Sequence, residues 1–206
     1  MGSNIAARRA AKAIRRKAIV AQKRKAEAFA TSLPERVRRA ASAPIQHCLL
    51  HAGLFETGIG TLVLTRGTSA THFGMAVFLV DVFCLGVKDV FFRPDAADEF
   101  AAYIETTGMA APFEPVDPTY GRKLLRDLVA WSRSIGFAPH PDFTAVEPIF
   151  GDVNASACDT AFQFGSDGKP LYLPGPSDSP TDIRRRLEHL RKHLGDDGFE
   201  IAGQAA

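Results

Sequence analysis

The chain has few of the residues that build thiolate-metal or disulfide frameworks. Its 206 residues include three cysteines, one tryptophan, three tyrosines and three methionines. Cys48, Cys84 and Cys158 are far apart and odd in number, which argues against a disulfide-stabilised secreted domain. The sequence has no Cys-x-x-Cys pair, which argues against a structural zinc site built on thiolates. This cysteine usage is typical of a reducing compartment, so we expect a cytoplasmic protein.

Several targeting and phosphate-binding signatures are also absent. No apolar segment of signal-peptide length follows the basic N-terminus, which argues against secretion, whereas its Arg-rich and acid-poor composition is also that of a mitochondrial presequence. The stretch GSDGKP lacks the glycine and lysine spacing of a P-loop. Residues 73–92 have the length of a membrane span, but Asp81 near their middle would be costly in a bilayer. A core strand fits this stretch better, and we expect no association with a membrane.

Acidic residues are nearly absent from the first 40 residues. That segment has twelve Lys and Arg residues against Glu27 and Glu35, a formal charge of +10. The rest of the chain has 13 basic and 21 acidic side chains, a formal charge of −8, and the two parts sum to +2. A basic segment ahead of a mildly acidic domain favours a polyanionic partner for the segment and not for the domain.

The basic segment predicts binding to RNA or to a ribonucleoprotein. Residues 5–30 contain no Gly or Pro and are rich in helix formers, and their basic groups would lie on every side of a helix. This distribution suits insertion among phosphates better than a membrane surface, which needs a broad apolar face. No aromatic residue precedes Phe29, so we expect no base-specific readout from the segment. A solvated tail is the alternative. The predicted nucleic-acid-binding residues are Arg8, Arg9, Lys12, Arg15, Arg16, Lys17, Lys23, Arg24 and Lys25.

Proline and hydrophobic patterning predict a basic helical arm at residues 1–42 and a compact domain at residues 43–206. Within the domain, residues 45–92 predict an antiparallel β-rich block. Its second half reads as a polar turn around Gly67–Ser69 followed by one long strand that is apolar on both faces. Later segments predict helices that pack on this block, a short C-terminal hairpin at GSDGKP and a terminal amphipathic helix. This segregation of strands and helices is typical of an α+β fold.

Two of the later helices have clear start signals. Asp117 precedes Pro118 and Ser179 precedes Pro180, which places an N-cap residue before a proline at the first helical position. The last helix has a narrow apolar seam, and a homodimer formed through that seam is a further interpretation of the protein. The seam residues are Ile183, Leu187, Leu190 and Leu194.

Asp81 is the most unusual residue of the apolar stretch FLVDVFCLGVKDVFF, residues 78–92. A carboxylate on a core strand is costly unless it is paired or hydrogen-bonded, and burial shifts its pKa. One interpretation is a metal ligand or a general base at the end of a strand. The other is a buried ion pair with Lys88, Arg66 or Arg93, or a strand that leaves the core sooner than the pattern indicates.

A second group of candidate residues lies in the stretch from His140 to Asp159. Carboxylates there suit Mg²⁺ or Mn²⁺, which prefer oxygen ligands, although the same residues also suit turns and helix caps. Joined by Asp81, they would form a metal-assisted phosphodiester site. A metal-dependent nuclease or phosphoryl-processing hydrolase is therefore the alternative function, and outside it we expect no cofactor. Its catalytic residues would be Asp81, Asp152, Asp159 and His140.

Overall fold

The computed structural model describes residues 32–109, 111–175 and 178–202. The chain divides into two compact units, residues 1–36 and residues 37–206. The basic helix predicted at residues 5–30 lies outside the described residues. The described helices and strands begin at Leu33.

The described residues form seven strands and six α-helices. The strands are β1 (Ile45–His51), β2 (Ile59–Ser69), β3 (His72–Asp81), β4 (Gly86–Arg93), β5 (Phe113–Pro115), β6 (Leu171–Tyr172) and β7 (Glu200–Ile201). The helices are α1 (Leu33–Ala41), α2 (Leu54–Thr57), α3 (Ala97–Gly108), α4 (Pro118–Ser134), α5 (Phe143–Val146) and α6 (Pro180–Leu194). In this part of the chain, none of the helices combines the length and the hydrophobicity that crossing a membrane requires.

The first five strands form one antiparallel sheet in the order β4-β3-β2-β1-β5, and helices pack on it. This arrangement confirms the predicted α+β fold with its antiparallel block. The long central strands β2 and β3 pair from Ile59 opposite Asp81 to Ser69 opposite His72. The polar turn lies just beyond Ser69, slightly later than predicted, because β2 continues through a bulge after Gly67.

The stretch predicted as one long strand is a hairpin, so that prediction was wrong in its length. β3 ends at Asp81, and β4 begins at Gly86, where the backbone has a φ of +73°. The turn between them was not recognised because its residues are apolar. They are apolar because Cys84 and Leu85 pack into a core with the C-terminal part of the chain, so the turn is buried. Hydrophobicity alone does not separate a buried turn from a buried strand.

Helices cover both faces of the sheet. On one face, Phe73 and Met75 of β3 pack against Phe100 and Tyr103 of α3. On the other face, the Phe78 ring centroid lies 6.3 Å from that of Phe143 in α5. The same face meets α4, because a Cβ on Gly121 would come within 3.1 Å of both Cys48 and Leu62. β3 therefore lies inside the sheet and is covered on both sides, which explains why both of its faces are apolar.

Both predicted N-caps are confirmed by side-chain hydrogen bonds. The Asp117 carboxylate accepts from the backbone N–H of Thr119 at 2.7 Å, and the Ser179 hydroxyl oxygen accepts from the backbone N–H of Asp182 at 3.1 Å. Each contact satisfies one of the donors that a helix leaves without a partner at its start.

The apolar seam of α6 packs inside the chain. Leu190 is fully buried, and its neighbours in the seam are half-buried against the same core. A homodimer stays a prediction, and it would need another surface, since this seam is already covered. The core that covers it consists of Cys84, Leu85, Tyr172 and Phe199.

The predicted C-terminal hairpin is reduced to one antiparallel bridge, in which Ser166 and Lys169 exchange backbone hydrogen bonds of 2.8 and 2.9 Å. The flanking residues do not pair with each other. Instead, the backbone N–H of Gly165 donates to Val82 and that of Leu171 donates to Phe83, both in the β3–β4 turn. The following strand β6 then pairs in parallel with β7.

Comparing Gly86 with Gly195 separates the free-energy cost of close packing from the cost of backbone strain. A Cβ on Gly86 would lie 2.5 Å from the Ser132 hydroxyl oxygen, whereas a Cβ on Gly195, which has a similar φ of +78°, would meet nothing within 4 Å. We expect Gly195→Ala to lower the free energy of unfolding by about 1–2 kcal/mol from strain alone, because its φ of +78° and ψ of 175° lie in a region that few residues other than Gly adopt. Gly86→Ala should lower it by about 2–4 kcal/mol, because overpacking adds to the strain. Urea unfolding measures both, and equal losses would contradict the role of Ser132.

Candidate functional site

The predicted nucleic-acid-binding residues, Arg8 to Lys25, all lie outside the described residues. Their role stays a prediction. The predicted catalytic residues are all described, so their surroundings show which of them come together.

Asp81 is fully buried at the end of β3, where it caps the following turn. Its Oδ1 accepts hydrogen bonds from the backbone N–H groups of Phe83 at 3.1 Å and Cys84 at 2.8 Å. Its Oδ2 is buried and has no hydrogen-bond partner among the described residues. Burial raises the pKa of Asp81, and the backbone donors and the charge of Lys88 oppose that rise. Among the described residues Asp81 forms no ion pair, and the chain does not leave the core after it, because Val82, Cys84 and Leu85 are buried as well.

The other predicted catalytic residues lie at the surface. The Asp152 side chain is fully exposed, with Oδ1 4.0 Å from Nη2 of Arg66. Asp159 is exposed as well. His140 is partly exposed; its Nε2 lies 3.6 Å from Oδ1 of Asp89, and its Nδ1 accepts from the backbone N–H of Asp142 at 3.2 Å.

Asp81 and Asp152 lie at opposite ends of the β2–β3 pair. Asp81 is opposite Ile59, whereas Arg66, which contacts Asp152, is opposite Gly74 seven residues further along β2. Seven residues of antiparallel strand span roughly 23 Å, whereas a two-metal site needs ions about 4 Å apart. Within the described ranges, no three His, Cys, Asp or Glu side chains are placed to hold one ion. The structure therefore does not bring Asp81 and Asp152 together, whereas the nuclease alternative that combines Asp81 with Asp159 stays a prediction.

Arg122 of α4 binds the chain after α5. Its Nη1 donates to the carbonyl oxygens of Gly151 at 2.8 Å and Val153 at 2.6 Å, and its Nε donates to Oε1 of Glu147 at 2.8 Å. Arg126 donates to the same carboxylate oxygen at 2.9 Å. Burial opposes ionisation of Glu147, but these hydrogen bonds and charges prevail and lower its pKa. The Arg122 guanidinium thus holds the turn at Gly151 and Val153 against α4.

Arg66 of β2 is a second buried clamp on the same turn. Its Nη1 donates to the carbonyl oxygen of Ala43 at 2.7 Å, and its Nη2 donates to that of Phe150 at 2.5 Å. Burial lowers the pKa of Arg66, and the nearby Asp152 carboxylate opposes this shift. Sequence reasoning considered Arg66 as a partner for Asp81, but its partners are main-chain oxygens, one of them 84 residues away.

Aromatic side chains surround a surface cavity of about 420 Å³. Phe55 of α2, Tyr120 of α4 and Phe162 of the loop before β6 line it, and each is partly exposed. The Phe55 and Phe162 rings are nearly parallel, at an interplanar angle of 5° and a centroid distance of 5.9 Å. The Tyr120 ring meets Phe162 edge to face at 5.0 Å. The polar part of the lining consists of Thr160, Gln163 and Asp167.

A second layer supports the aromatic cavity from below. Phe164 is buried, with its ring 6.0 Å from that of Phe162 and 5.5 Å from that of Trp131. The Lys123 ammonium lies 5.2 Å from the Phe162 ring centroid and pairs with Asp127 one helical turn along α4. Sequence reasoning did not find this site. The Phe-x-Phe pattern in TAFQF was the available signal, but its aromatic partners come from distant segments.

Comparison with known proteins assigns no family to the chain. Protein-family models, curated proteins and solved structures all fail to match it.

The raised pKa of Asp81 predicts a pH dependence of stability. The folded chain favours the protonated carboxyl, so the contribution of Asp81 is most favourable below its unfolded pKa of 3.8 and declines as pH rises through the folded pKa. Asp81→Asn keeps an acceptor oxygen for the turn but does not titrate. We expect the free energy of unfolding of this variant, relative to the unmodified chain, to rise with pH from about 4 and then level off. Urea unfolding across this range measures it, and a falling difference would contradict it.

Asp117→Asn is the matched control for this pH series. Hydrogen bonds from Thr119 lower the pKa of the exposed Asp117 carboxyl. Its contribution is therefore complete above the unfolded pKa of 3.8 and is lost only as pH falls through the folded pKa. The difference between this variant and the unmodified chain should stay constant above about pH 5.

Loss of the Arg122 clamp should destabilise the domain. Arg122→Met leaves the buried Glu147 short of a partner and two carbonyl oxygens without donors, so we expect a loss of about 3 kcal/mol. Arg185→Met is the control, because the Arg185–Asp182 pair is exposed, with side chains 74% and 38% accessible. Its loss should stay below about 1 kcal/mol. Losses of similar size in urea unfolding would show that Arg122 is not a clamp.

Proposed function

We propose that this protein binds RNA or a ribonucleoprotein through the basic segment at residues 8–25, with phosphate contacts and no base-specific contacts from that segment. The single observation that carries the proposal is the charge separation between the first 40 residues, at +10, and the remainder, at −8. Phosphate contacts supply most of the sequence-independent affinity for nucleic acid.

The pairing of charges in the compact domain supports this assignment to the segment. Nine of the thirteen Lys and Arg residues beyond residue 40 lie within 4.0 Å of an acidic side chain of the described residues. These cations already have anionic partners, so they contribute little to a positive field around the domain. The nine are Arg66, Arg93, Arg122, Lys123, Arg126, Lys169, Arg185, Arg186 and Arg191.

The salt dependence of RNA affinity distinguishes binding by the basic segment from binding by the compact domain. With six to ten phosphate contacts, affinity should fall by about 10³- to 10⁵-fold between about 50 and 200 mM salt. Replacing Arg15, Arg16 and Lys17 of the basic segment with Gln should make the plot of log binding constant against log salt concentration less steep by about 2–3. Titration of a structured RNA with the full chain measures this slope.

The control variant removes three cations from the compact domain. Arg133, Arg184 and Lys192 are exposed and form no ion pair with described residues, so their replacement by Gln makes the same change in net charge. We expect this variant to keep the slope of the unmodified protein. An equal reduction in both variants would mean that net charge, rather than the segment, determines binding, and no reduction in either would refute the proposal.

A further inference from the structure

We propose that the aromatic cavity formed by Phe55, Tyr120 and Phe162 binds a single unpaired nucleobase. The choice of a nucleobase among planar ligands rests on the proposed RNA function, whereas the site itself is independent of the basic segment. The cavity would give the compact domain a contact with a base. The basic segment does not supply one, because it has no aromatic residue before Phe29.

The rings offer a stacking surface of the right kind. Phe55 and Phe162 stack on each other with their rings nearly parallel, and both side chains stay partly exposed although Phe164 beside them is buried. Proteins bind splayed-out bases by stacking them on such rings. A volume of about 420 Å³ lies within the range of roughly 300–1,000 Å³ that is usual for small-ligand sites.

The polar side chains of the lining are available to form hydrogen bonds with a ligand. The side chains of Thr160, Gln163 and Asp167 form no hydrogen bond or ion pair within the described residues, although each lines the cavity. An amide offers both donors and acceptors, a carboxylate offers acceptors, and a hydroxyl offers one of each kind. Together they can match the mixed edge of a base, which a purely apolar ligand would leave without partners.

Backbone contacts hold this polar lining in place. The Ser166–Lys169 bridge closes the turn that carries Asp167, and Asp167 has a φ of +52°, the only positive φ of a non-glycine residue in the described ranges. The backbone N–H of Gly165 donates to Val82 at 2.9 Å, which ties the loop to the core. The loop is therefore positioned before any ligand binds, which reduces the ordering cost of binding.

Lys123 provides a cation for the phosphate of a nucleotide. Its ammonium lies over the Phe162 ring, and its partner Asp127 belongs to the next turn of the same helix. The Asp127 side chain is 40% exposed, and such pairs contribute little free energy. A phosphate attached to the stacked base can therefore share the Lys123 ammonium.

The single tryptophan of the chain reports on this site. Trp131 contacts Phe164, which in turn contacts Phe162, and no other tryptophan contributes to the fluorescence. We would titrate the full chain with GMP, AMP, CMP and UMP at about 200 mM salt, which screens phosphate attraction to the arm. At least one nucleotide should change the Trp131 fluorescence saturably below about 10 mM.

Three variants test the contacts. Phe162→Leu should weaken binding about 5- to 150-fold, the range expected for the loss of one base-stacking contact. Phe91→Leu is the matched control, because Phe91 is also a half-buried ring with a cation nearby, Arg93 at 5.7 Å, but packs against α3. It should bind as tightly as the unmodified chain. Gln163→Ala, at an exposed position, should weaken binding without affecting folding.

Several outcomes would overturn the cavity proposal. They are the absence of saturable binding of any nucleotide by fluorescence and calorimetry, and unchanged binding in both Phe162→Leu and Gln163→Ala. If Phe162→Leu does not fold, Gln163→Ala decides alone. A doubled mass in light scattering that Phe162→Leu abolishes would assign the cavity to a contact with a second copy, and so against a base.

The two proposals fail separately. If only the cavity proposal is right, nucleotides bind, but replacing Arg15, Arg16 and Lys17 leaves the salt slope of RNA binding unchanged. If only the segment binds RNA, the slope falls while no nucleotide binds. Phe162→Leu should leave the slope unchanged in either case, because the slope counts phosphate contacts.

Discussion

The structure depends on the tight β3–β4 turn, which the Asp81 carboxylate closes. Burying a carboxylate in a sheet that is covered on both faces costs free energy unless hydrogen-bond donors contact it. In this turn, two backbone N–H groups donate to the Asp81 carboxylate. The turn then binds the C-terminal part of the chain, since Val82 accepts from Gly165 and Cys84 packs in the core that buries Leu190. The loop that carries Phe162 is anchored at this point as well.

Buried arginines of the described residues stabilise the fold, and we propose a different role for the cations of the basic segment. Arg66 and Arg122 are buried and donate to main-chain oxygens of the turn after α5, so they hold irregular backbone where no sheet or helix would satisfy it. The cations of the basic segment have almost no acidic neighbours in sequence. Charge that is neutralised locally stabilises the fold, whereas charge in excess favours an external polyanion.

The predictions that were confirmed depended on signals within a few residues of each other. Asp117 and Ser179 were recognised as N-caps because a cap bonds to a backbone group only two or three residues away. The β3–β4 turn was not recognised because it is buried by Tyr172 and Leu190, and so lacks the polar residues that mark exposed turns. The predicted metal site combined Asp81 with Asp152 or Asp159, and the sheet places Asp81 and Asp152 at opposite ends.

The sequence by itself determined the fold class, the helix starts and the concentration of positive charge before residue 40, because these follow from local pattern and composition. Only the tertiary structure decided what Asp81 does and which aromatic side chains surround the cavity. Phe55, Tyr120 and Phe162 come from a short helix, a long helix and a loop, and the Phe162 ring contacts the other two. Contacts between segments far apart in the chain depend on how the whole sheet is covered, and no local pattern records that.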